Sequence, residues 1–77
     1  MRFQNPVYAL YLREAEANAQ RIRKLAEQIH VREPGFSVAE IQEESAKLAE
    51  STPRSQIAVL EIWYELACKG LLRELVL

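Results

Sequence analysis

Few side chains in this sequence carry reactive or ligating chemistry, and their placement restricts what they could do. His30 and Cys68 are the single histidine and the single cysteine. An imidazole can move a proton near neutral pH or ligate a metal, and a thiolate can attack or ligate. The two stand far apart in sequence, and a structural zinc site wants four such ligands. All 11 acidic residues are glutamate. Glu40, Glu43 and Glu44 form a cluster that could hold a divalent ion or dock a basic partner. A calcium loop, however, would need Asp or Asn at alternating positions and a turn glycine between them. The two glycines, Gly35 and Gly70, are too scattered to cradle a phosphate. Arg21, Arg23 and Lys24 could touch nucleic acid, but Glu14, Glu16 and Glu27 dilute their charge.

Simpler accounts cover each of these groups. His30 falls near the end of a helical pattern, where a cation is favoured by the helix dipole. Cys68 lies on an apolar helical face and reads as a small buried residue. Glu43 and Lys47 have the i, i+4 spacing of a surface ion pair. The expectation is a non-enzyme that needs neither cofactor nor metal.

The elements that position these groups follow from composition and periodicity. The chain has 77 residues, 49% of them apolar, and a formal net charge of −1. That supports one domain with a small core. A lone cysteine makes no internal disulfide, which suits a reducing, cytoplasmic setting. Residues 6–12 are mostly apolar after Arg2, but Arg13 and Glu14 follow at once, so they read as the start of a mature helix rather than a signal core. No apolar run nears the roughly 18 residues that cross a bilayer.

Three helices are predicted, making an all-α, single-domain protein with one long N-terminal helix and a helical hairpin. The first spans about 6–32, opened by Asn5 and Pro6 and stopped by Pro34-Gly35. Tyr8, Tyr11, Leu12, Ala15, Ile22, Leu25 and Ile29 fall on one arc of about 140°. The second spans about 38–50. Ser37 and Glu40 form a capping box, with Phe36 and Ile41 at the positions of a hydrophobic staple. Its apolar seam is narrow: Val38, Ile41, Ser45, Leu48 and Ala49. The third, about 53–70, opens at Thr52-Pro53 and is closed by Gly70. Its apolar arc covers about 240°, with Ile57, Leu60, Tyr64, Ala67 and Cys68 on one side and Val59, Ile62, Trp63 and Leu66 on the other. Residues 71–77 either extend it or form a short strand.

A helix with two apolar faces must be sandwiched, and a row of exposed large side chains usually marks an interface. The expected partner or dimer surface comprises Tyr8, Tyr11, Val59, Ile62, Trp63 and Leu66, with Leu72, Leu75 and Leu77 from the tail. This points to a homodimer that also binds another protein, as a small adaptor, inhibitor or regulatory subunit. An alternative rests on pattern. The capped helix from Ser37, the turn at Thr52-Pro53, and a second helix ending in Gly70 before Leu71-Leu72 resemble the core of a winged helix-turn-helix. That resemblance implies a small DNA-binding regulator with Arg54, Ser55 and Gln56 on its reading helix. Ala58, Glu61 and Glu65 on the same helix, the slightly acidic total charge, and a tail too short for a wing weigh against it.

Overall fold

In the computed structural model, residues 6–50 and 52–76 are described, with side chains for 9–50 and 52–74. The order is α1 (Pro6–Arg32), α2 (Val38–Leu48), α3 (Pro53–Cys68) and a one-turn α4 (Leu72–Val76). No strand occurs among the described residues, so the protein is all-α as the periodicity requires. The tail leaves the open choice between extension and strand as a separate helical turn. The second and third helices stop earlier than expected, at Leu48 and Cys68.

Local chemistry explains each boundary. The Ser37 hydroxyl accepts from the Glu40 amide at 3.0 Å, and the Glu40 carboxylate accepts from the Ser37 amide at 2.9 Å. The capping box is therefore complete. Thr52 does not cap α3 with its side chain; its hydroxyl donates to the Ala49 carbonyl at 3.0 Å instead. Pro53 still begins the helix without forfeiting a hydrogen bond. At the far end, Leu71 N–H donates to Leu66 O at 2.8 Å and Gly70 N–H to Ala67 O at 3.1 Å. With Gly70 at φ 74°, this is a Schellman closure, which a left-handed residue makes possible.

α2 packs antiparallel to α1, and α3 runs back alongside α1 in the same direction. The start of α3 lies beside Tyr11 and Asn18, while the Arg32 guanidinium sits over the Tyr64 ring at 5.6 Å. Arg21 and Glu61 tie the same two helices at 2.7 Å. Leu25, Ala26 and Ile29 from α1, Ile41 from α2, Leu60 and Ala67 from α3, and Leu72 from α4 form the core.

Helix lengths then shape the molecule. At 1.5 Å per residue α1 runs roughly 40 Å, against about 16 Å for α2 and 24 Å for α3. The hairpin covers only the C-terminal part of α1. The result is an elongated body, 52 × 21 × 18 Å, from which the start of α1 projects as an arm.

Candidate interaction surfaces

The apolar stripe of α1 is continuous in sequence but not in burial. Ile22 is half-buried and Leu25, Ala26 and Ile29 are enclosed by the hairpin. Residues 9–17, by contrast, are exposed throughout. Leu10, Tyr11 and Leu12 keep 60%, 65% and 48% of their surface in contact with water. The stripe that builds the core thus outruns the helices that cover it. Tyr11 and Ala15 share a groove with Thr52, Pro53 and Arg54, where the arm leaves the bundle.

The circumference of α3 is better satisfied than its composition suggests. Leu60 and Ala67 are buried, and Ile57, Trp63, Tyr64 and Leu66 pack half-buried against the core. Val59 is also half-buried. Ile62 alone of the expected α3 set remains open, at 59% exposure. α3 is sandwiched between α1 and α2 with α4 closing one end, so its own chain meets most of the demand.

The expected interface residues therefore separate. Tyr11 belongs to the arm, Ile62 to the outer face of α3, and Trp63 to a hollow shared with Phe36, Ile41 and Leu72. Leu72 is a core residue, 2% exposed, and reaches the surface only in the lining of that hollow, not on an outer face of α4. The side chains of Tyr8, Leu75 and Leu77 lie outside the described residues.

The residues assigned to DNA reading also divide. Arg54 and Ser55 are exposed. Gln56 is not available to a groove edge: its amide donates to Gln42 O at 3.0 Å and to the Ser45 hydroxyl at 3.1 Å. It is a tether between α2 and α3. Ser45 is fully buried and donates in turn to Gln42 O at 3.0 Å. A serine within an apolar seam was the available signal, since a buried hydroxyl must find a partner.

Other groups depart from expectation. Cys68 is exposed rather than buried: on the last turn of α3 its neighbour Ala67 takes the core position, and Cys68 is turned about 100° away from it. Lys47 pairs with Glu44 at 3.4 Å, one residue closer than the Glu43 spacing suggested. The His30 ring holds the turn after α1, with Nδ1 donating to the Phe36 carbonyl at 2.7 Å. Glu33, invisible as a functional residue in the sequence, is 8% exposed and accepts from Arg73. No cluster of His, Cys or Glu able to hold a metal comes together among the described residues. None of the helices described is long and apolar enough to cross a membrane. No family model, characterised protein or solved structure matches the chain.

Proposed function

We propose that this protein is a non-catalytic protein–protein interaction module that pairs with a second copy through the α1 arm and presents the result to another protein. A small adaptor, inhibitor or regulatory subunit in the cytoplasm fits this behaviour. The single observation that carries the reading is the amphipathic stripe continuing past the hairpin. Tyr11 and Leu12 lie on the same arc as the half-buried Ile22 and the buried Ile29, yet among the described residues they keep 65% and 48% of their surface exposed. Covering each would contribute roughly 1.5–3 kcal/mol. A second arm, with the same stripe and the same gap, is self-complementary about a two-fold axis.

Sedimentation of the full chain from about 1 to 100 μM tests this, since that range brackets affinities of about −8 to −5.5 kcal/mol. The expected result is a reversible monomer–dimer equilibrium that Tyr11→Ser or Leu12→Ser moves to monomer. Those variants should retain the urea midpoint of the monomeric bundle. A wild-type chain that stays monomeric across the range would sink the self-association reading.

A further inference from the structure

A second apolar feature lies at the opposite end of the bundle from the arm. Phe36, Ile41, Trp63 and Leu72 line a hollow of about 150 Å³. Apolar cavities near this size accommodate a benzene-sized group. One wall is acidic: Glu40 and Glu44 stand a single turn apart on α2 and complete the lining. Glu40 uses one oxygen to accept from the Ser37 amide. Glu44 meets only Lys47, at 3.4 Å with both side chains more than half exposed. No other Lys or Arg pairs with either carboxylate among the described residues.

We propose that this hollow seats the apolar anchor of a basic amphipathic helix from a partner protein, with a Lys or Arg one turn from the anchor meeting Glu40 and Glu44. This rests on the reading of the chain as a binding module, though not on its self-association. Charge complementarity selects the occupant. An anchor alone would fit many segments, but two carboxylates beside an apolar floor repel acidic helices and anionic surfaces. The spacing is that of neighbouring positions on one helical face, about 5–6 Å. The chain's own arm cannot reach, because roughly 25 Å of rigid helix separate Ala15 from the end of α1. A second copy's arm is a poorer match, since Arg13 there is flanked by Glu14 and Glu16.

Trp63 is the only tryptophan of the chain and lines the hollow, so its emission reports occupancy directly. The probe is a synthetic helical peptide of leucine and lysine in an i, i+3, i+4 pattern, titrated into the full chain. The same pattern with glutamate for lysine is the control. The expected result is a saturable emission shift with the lysine peptide only, weakened about tenfold by Glu44→Lys and by raising salt, which screens exposed pairs. Glu44→Lys touches neither the capping box nor the core, and circular dichroism checks that it folds. No shift up to millimolar peptide, an equal response to the glutamate peptide, or unchanged affinity in Glu44→Lys would each overturn the proposal. A Trp63 shift produced by diluting the chain alone, with no response to peptide, would assign the hollow to a second copy and also overturn it. Leu12→Ser should leave the peptide response intact, which separates this test from that of the arm.

Discussion

Arg73 Nε donates to Glu33 Oε1 at 3.0 Å, joining α4 to the end of α1 across 40 positions of sequence. A five-residue helix has no stability of its own. α4 is held because Leu72 is buried in the core while its neighbour Arg73 reaches the largely enclosed Glu33 carboxylate. Removing the guanidinium leaves that carboxylate mostly out of water and without its partner. Arg73→Ala should therefore lower stability by about 1 kcal/mol, the partial exposure of the arginine keeping the loss near the low end for such groups. Glu33→Gln, which removes the charge as well, should cost less. Urea denaturation of the two single variants and the double variant measures the coupling. Strictly additive losses would show that the bond contributes nothing.

Gln56 gives a second test, because its half-buried amide is already engaged within the chain. Its amide serves two acceptors on α2, so Gln56→Ala should cost about 1–2 kcal/mol. The neighbouring Ser55→Ala, on an exposed surface, should fall within about 0.5 kcal/mol of wild type. Equal denaturation midpoints for the two variants would remove the tether from the account.

Local signals in the sequence were the reliable ones. The Ser37–Glu40 box, Pro6, Pro53 and Gly70 each act within a few residues, and each sets a boundary of the fold. The stripe of α1 was also legible, since periodicity needs no partner to be seen. What periodicity cannot give is the length over which a neighbour covers it, so the arm emerges only when the shorter α2 and α3 are laid alongside. Glu33–Arg73 and Ser45–Gln56 were hidden for the same reason: their meaning depends on which helix faces which. Cys68 failed differently: it lies at the edge of a wide apolar arc, about 100° around the helix from the buried Ala67, and the arc alone does not show which part of it the neighbours cover.

The turn after α2 offers a stabilising change. Glu50 adopts φ 52°, the left-handed region, where a side chain costs roughly 1–2 kcal/mol. Glycine has no such cost, although it loses more chain entropy on folding. The net expectation for Glu50→Gly is a gain of about 1 kcal/mol, or about 4–8 °C in Tm for a domain of this size. A calorimetric Tm at or below that of wild type would show that the turn is shaped by something other than the Ala49–Glu50 backbone.

The two sides of α3 can be told apart with a pair of aliphatic truncations. Leu60 has no exposed surface, so Leu60→Ala should cost about 2–5 kcal/mol through lost burial and the cavity it leaves. Ile62 stands two residues on, largely in water, and Ile62→Ala should change the stability of the monomer by less than about 0.5 kcal/mol. If the outer face of α3 joins the arm in self-association, Ile62→Ala will instead lower the dimer population in sedimentation while the urea midpoint of the dilute monomer holds. If the dimer population is unmoved, the contact is confined to α1. A substantial stability loss in dilute Ile62→Ala would mean that this face is already covered within the chain, against its observed exposure.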